Sequence, residues 1–134
     1  MKISVQITVN APLEKVWDAY TNPDHIVHWN FASDDWHCPH AEVDLRVGGS
    51  FSSRMEAKDG AMGFDFAGVY TEIESMKHLQ YRFGDRFADV DFRESAGEVK
   101  VVVTFDPETE NSFELQESGW RAILNNFANH VLSS

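Results

Sequence analysis

The chain has 134 residues, 43% of them hydrophobic and 13% aromatic, and its 11 basic against 22 acidic side chains leave a formal charge of −11. Length and composition fit one domain with a sizeable packed core (residues 1–134) and exclude a disordered chain. The acidic balance excludes nucleic acid and anionic membranes as partners, because their phosphates would be repelled.

Ile3, Val5, Ile7 and Val9 alternate with Ser4, Gln6, Thr8 and Asn10, which predicts a half-buried strand and is unlike the apolar block of a signal peptide. Asn10 and Pro12 then open a helix with Leu13, Val16, Trp17 and Tyr20 as its apolar stripe. In Asn22-Pro23-Asp24 the start signal repeats: a cap, a proline in the first turn and an acid at the positive end of the dipole. This second helix is short and carries Ile26 and Trp29.

Periodicity lapses from Asn30 to Pro39, so the segment reads as a loop, yet it holds Phe31, Trp36 and Cys38. Such apolar weight in a loop implies that it folds over a core or over the mouth of a pocket. A lid that opens for a ligand is expected here, with a static flap as the alternative.

Six alternating segments follow. Val43, Leu45 and Val47 lead to a turn at Gly48-Gly49, and Phe51, Ser53 and Met55 lead to another at Asp59-Gly60. Phe64 to Ile73 makes a long strand in which Gly68 predicts a bulge or sharp bend. Leu79, Tyr81 and Phe83 come next, then Val90 and Phe92, then Val99, Val101, Val103 and Phe105, with turns at Gly84-Asp85 and Ala96-Gly97. Consecutive hairpins imply antiparallel neighbours.

The last stretch, Asn111 to Leu132, has Asn111 placed as a cap with Glu114 as its reciprocal carboxylate. Phe113, Trp120, Leu124, Phe127 and Val131 form one stripe, with Glu117, Arg121, Asn125 and Asn129 opposite. One helix cannot hide that stripe alone. An α+β fold follows, in which a curved antiparallel sheet grips the terminal helix, with two short helices after the first strand. Val5, Ile7, Phe127 and Val131 belong to its closed, packed end.

Ala11-Pro12 with Val16-Trp17, the Pro23 and Trp29 pair, Asp44-Leu45-Arg46-Val47-Gly48-Gly49, Gly68-Val69-Tyr70 and Gly119-Trp120 resemble, in order, the activator of heat-shock chaperone ATPase homologue group. That group belongs to the START-like (SRPBCC) superfamily, and the match runs over almost the whole chain. The resemblance implies a helix-grip fold with a deep apolar cavity between sheet and terminal helix. Members bind lipids, polyketides, hormones or other hydrophobic molecules, and a few are enzymes. The eukaryotic name-giving domain binds and stimulates the ninety-kilodalton heat-shock chaperone and belongs to a protein with an extra N-terminal domain, whereas a single domain is expected here. Small stand-alone members of this kind are typically prokaryotic, and a bacterial protein is expected.

The chemistry-bearing residues are weighed against that background. His25, His28, His37, Cys38 and His40 lie close in sequence, but they have neither a CxxC pair nor the spacing of a zinc site, so no metal and no cofactor is expected. Cys38 with His40 as base is a side hypothesis for a nucleophile, set against an inert, half-buried thiol. The expected ligand-binding set is Trp29, Phe31, Trp36, Cys38, His40, Met55, Phe66, Tyr81, Phe92 and Trp120, since pockets are built mainly of apolar and aromatic groups. Arg46, Arg54, Arg82 and Arg86 face Asp65, Asp89, Asp91 and Glu94 as outer-face pairs, each contributing on the order of 0.2–1 kcal/mol.

The function expected is binding of a hydrophobic small molecule by a monomer or homodimer, with no catalytic residue assigned. A protein-interaction module of the chaperone-activator type is the second reading, and a cavity-based hydrolase or cyclase the third. With no apolar run of the roughly 18 residues a membrane span needs, and with Cys38 alone precluding an internal disulfide, a cytoplasmic location is expected.

Overall fold

The computed structural model describes residues 2–134. Its elements run β1 (Ile3–Val9), α1 (Leu13–Thr21), α2 (Pro23–Ile26), β2 (Trp36–Val43), β3 (Ser50–Ala57), β4 (Gly63–Glu74), β5 (His78–Phe83), β6 (Arg86–Ser95), β7 (Glu98–Phe105) and α3 (Phe113–Ser133). All the strands join one curved antiparallel sheet in the order β1-β7-β6-β5-β4-β3-β2. From β2 onward the chain is a meander. β1 pairs with β7, Val5 opposite Val103, so α1 and α2 carry the chain from one edge of the sheet to the other.

Alternation puts Leu79, Tyr81 and Phe83 of β5, Ala88, Val90 and Phe92 of β6, and Val99, Val101, Val103 and Phe105 of β7 on one buried face. α3 lies against this face and packs on β1, burying Leu124, Phe127, Ala128 and Val131. Burying side chains such as Phe127 and Val131 contributes about 1.5–3 kcal/mol each. With Val5 they form the packed end expected from the stripe, and Ile7 is half-buried beside them.

Several expectations need correction. The first strand of the meander is Trp36–Val43, not the segment ending at Val47. Leu45 and Val47 are 41% and 61% exposed in the β2–β3 connection. Alternation there is fortuitous, while the true strand hides its period behind a register shift between His37 and His40. Pro39 lies in that shift and has no N–H for a ladder, and it is tolerated because β2 is an edge strand.

Gly68 is in regular register opposite Phe51. The bulge of β4 falls between Tyr70 and Glu72 instead. It changes the parity of the strand, so that Tyr70 and Ile73, three residues apart, both face inward opposite Tyr81 and Leu79. Glycine is needed at 68 because a Cβ there would meet the Arg82 carbonyl and approach the Phe51 ring to 2.8 Å.

The cap of α3 is Ser112, whose hydroxyl accepts from the Leu115 N–H at 3.1 Å. Asn111 bonds Glu108 instead, and Phe113 is 45% exposed, off the buried stripe. The outer-face pairing is partly different too. Arg54 meets Asp65 at 3.6 Å and Glu56 at 2.8 Å, but Asp89 and Asp91 face His78. Arg46 turns to Asp44, and Arg86 lies over the Phe83 ring and donates to the Asp106 carbonyl.

Candidate functional site

Sheet and helix do not close on each other along their whole length. Beyond Leu124, toward the start of α3, a cavity of about 220 Å³ remains. The strong curl of the sheet holds it open, and large rings on its inner face prop it. Phe51 packs against Tyr70 at 5.3 Å and Tyr81 at 4.9 Å, Phe66 against Phe83 at 5.4 Å, and Trp120 stacks on Phe105. From the other side Tyr20, Ile26, Trp29 and Asn30 of the α1–α2 region complete the wall. The Trp29 indole N–H donates to the Ala19 carbonyl at 2.9 Å, so its polar atom is satisfied and its face is free to pack.

A second, more open hollow of about 330 Å³ adjoins the first. The two share Met55, Phe64, Trp120 and Ile123, and the outer one is bordered by Phe31, Trp36, Leu115 and Gln116. Its rim is held by specific bonds: Asn126 Nδ2 donates to the Phe31 carbonyl at 2.6 Å, and the Lys58 N–H donates to the Asp35 carbonyl at 2.8 Å. Gln116 ties the chain before α3, accepting from the Glu108 N–H and donating to the Asn111 carbonyl at 2.9 Å.

Of the residues expected around a ligand, Trp29, Met55, Phe66, Tyr81 and Trp120 line the inner cavity, and Phe31 and Trp36 border the outer hollow. Three lie elsewhere. Phe92 is packed under α1 against Trp17 and Tyr20, which fill the space that a ligand would need. Cys38 is buried in the bulge of β2, its thiol directed at the His40 carbonyl and its pKa pushed up by burial. His40 points to solvent beside Glu42, so the Cys38–His40 pair has no imidazole at the sulfur. Tyr20, Phe51, Ser53 and Tyr70 are wall residues that the sequence reading placed only as core or strand positions.

The five clustered metal-ligand types do not converge. His25 and His28 gather with His130 at the α2–α3 contact, while His37 faces Glu56 on the other side of the loop. Among the described residues no group of three His, Cys, Asp or Glu side chains is arranged to hold an ion. No helix among them is long and apolar enough to cross a membrane.

Known structures share this arrangement. An AHSA1-like protein from Aeromonas hydrophila is 42% identical, with 99% of this chain and 93% of that one covered at a TM-score of 0.94. A protein from Cytophaga hutchinsonii is 44% identical over 98% and 92% of the two chains, with a TM-score of 0.85. A protein from Nitrosomonas europaea reaches the same TM-score of 0.85 over 99% and 95% at 18% identity, a likeness of fold alone. A comparison with curated proteins finds no match. The family model described as Activator of Hsp90 ATPase homolog 1-like protein matches residues 10–131, from the end of β1 almost to the end of α3. The helix-grip fold and this match agree, and the chain belongs to that family.

Proposed function

We propose that the chain binds a small hydrophobic molecule in the space between the sheet and α3. What supports this reading is the character of that space. It is walled by Trp29, Phe51, Met55, Phe66, Leu79 and Trp120, with a few hydroxyl and amide groups among them, and among the described residues no charged side chain borders either hollow. Removing apolar ligand surface from water there is worth about 25 cal/mol per Å², and the sparse polar groups would fix orientation. A role resting on protein contacts would use the outer face of the sheet. Polar contacts such as the Arg54–Asp65 ion pair and the His78 ring beside Asp89 occupy that face, which favours the cavity over the surface.

Native mass spectrometry of protein freshly purified from cells tests the proposal. The expected result is a non-covalent adduct released by organic solvent, and its re-addition should shift the indole N–H signals of Trp29 and Trp120. Bare protein, with indole signals indifferent to a panel of apolar compounds, would overturn it.

A further inference from the structure

Four hydroxyls belong to the cavity wall: those of Tyr20, Ser53, Tyr70 and Tyr81. Ser53, Tyr70 and Tyr81 are 4%, 6% and 7% exposed, yet among the described residues none of the four has a protein hydrogen-bond partner. No sealed side-chain oxygen lacks a partner, so these oxygens look into open space, and the space available is the cavity. Tyr70 and Tyr81 are direct cross-strand neighbours on β4 and β5, with the Phe51 ring against both. Tyr20 reaches in from α1, wedged by Trp29 at 5.2 Å and Phe127 at 5.1 Å.

We propose that Tyr20, Tyr70 and Tyr81 form a hydroxyl anchor that selects uncharged molecules carrying an oxygen acceptor, such as a ketone carbonyl, on an otherwise apolar frame. The inference rests on the cavity being a ligand site. These hydroxyls open on the cavity without a protein partner, and an acceptor brought by the ligand would give them one that an apolar ligand leaves unmade. The phenols can donate at any physiological pH. Burial, and then the neighbouring Tyr70, raises Tyr20; burial alone pushes Tyr70 up to about 12; burial, then Tyr20 and Tyr70, raises Tyr81 well above the usual range. An anion is disfavoured because no Lys, Arg or His among the described residues borders the cavity, and a carboxylate stripped of water there would have no counter-charge.

The test is a calorimetric titration with three probes of matched shape: 2-acetylnaphthalene, 2-isopropenylnaphthalene, in which C=CH2 replaces C=O, and 2-naphthoate at pH 7. Wild type should bind the ketone about tenfold more tightly than the hydrocarbon, the worth of one well-made hydrogen bond, and the naphthoate more weakly than the ketone. Tyr70→Phe with Tyr81→Phe should cut the ketone's advantage over the hydrocarbon, measured on the same variant, to a few-fold or less, the remainder being Tyr20's share. Equal binding of ketone and hydrocarbon by wild type, or tightest binding of the naphthoate, would overturn the anchor alone. Failure of all three to bind would overturn the cavity reading and the anchor together. The wild-type comparison decides the matter even where the double variant fails to fold.

Discussion

The indole of Trp120 lies flat on the ring of Phe105, with centroids 3.9 Å apart and planes within 9° of parallel. Phe105 is fully buried at the end of β7, whereas Trp120 keeps another part of its surface on the cavity. The stack is therefore where core ends and ligand space begins. Trp120→Ala should destabilise the fold by about 3 kcal/mol, near the lower end for a large aromatic because part of its surroundings is already empty. Trp120→Phe should lose less than half of that. Chemical denaturation of the two variants checks both values.

Two glycines should respond in opposite directions to alanine. At Gly68 a methyl group collides with the Arg82 carbonyl and the Phe51 ring, so Gly68→Ala should destabilise by about 1–3 kcal/mol, as overpacking does. Gly119 sits inside α3 with nothing within 4 Å of an added Cβ. There Gly119→Ala should stabilise by about 0.5–1 kcal/mol through helix propensity and a less free unfolded chain. Equal melting temperatures for the two variants would contradict both placements.

The rim of the outer hollow depends on the bond from Asn126 to the Phe31 carbonyl. Asn126→Ala should raise hydrogen exchange across residues 31–35, leave Val99–Val103 protected, and speed the association of apolar ligands. Unchanged exchange at those amides would mean that packing of Phe31, not the tether, holds the segment.

How far the sequence carries this structure depends on where burial imposes a period. β1 and β5 to β7 are legible because one buried face forces strict alternation, and α3 because its stripe must meet that face. β2 was illegible for a physical reason: the bulge at Cys38 and Pro39 breaks its period, while the exposed pair Leu45 and Val47 keeps one by chance. Trp29, Met55, Phe66, Tyr81 and Trp120 could be assigned to the cavity from facing and side-chain size. Phe92 has the same facing as its neighbours on β6, yet which inner positions α1 covers is decided by tertiary packing. Tyr20 and Tyr70 carried a usable signal, a hydroxyl on an otherwise apolar face, which has meaning only beside the other phenols.

The histidine group between α2 and α3 should make stability sensitive to mild acid. His130 Nε2 lies 2.8 Å from His25 Nδ1, the His28 ring stacks on it, Asp18 is 3.3 Å from His25, and Lys15 stands nearby. Burial first, then His25, His28 and Lys15, lowers the His130 pKa. The unfolded chain therefore takes up this proton more readily than the folded one. The stabilisation is present above the unfolded imidazole value, about 6.5, and is lost as pH falls through the folded value. Unfolding free energy should drop on acidification from about pH 7 to 5, and His130→Gln should flatten that slope. A variant with the wild-type slope would assign the effect to other groups.

Pro39 has a consequence for how copies of the chain meet. β2 is one of the two edge strands of the sheet, β1 being the other, and a long even edge invites another strand to dock and extend the ladder into aggregates. An incoming strand would find no N–H at Pro39 and a shifted register between His37 and His40. Its hydrogen bonds would be interrupted midway along an edge only 8 residues long. Replacing Pro39 with a β-former such as Val would restore a backbone N–H within the shifted stretch and remove one of the two interruptions, and sheet-mediated association would become a greater hazard.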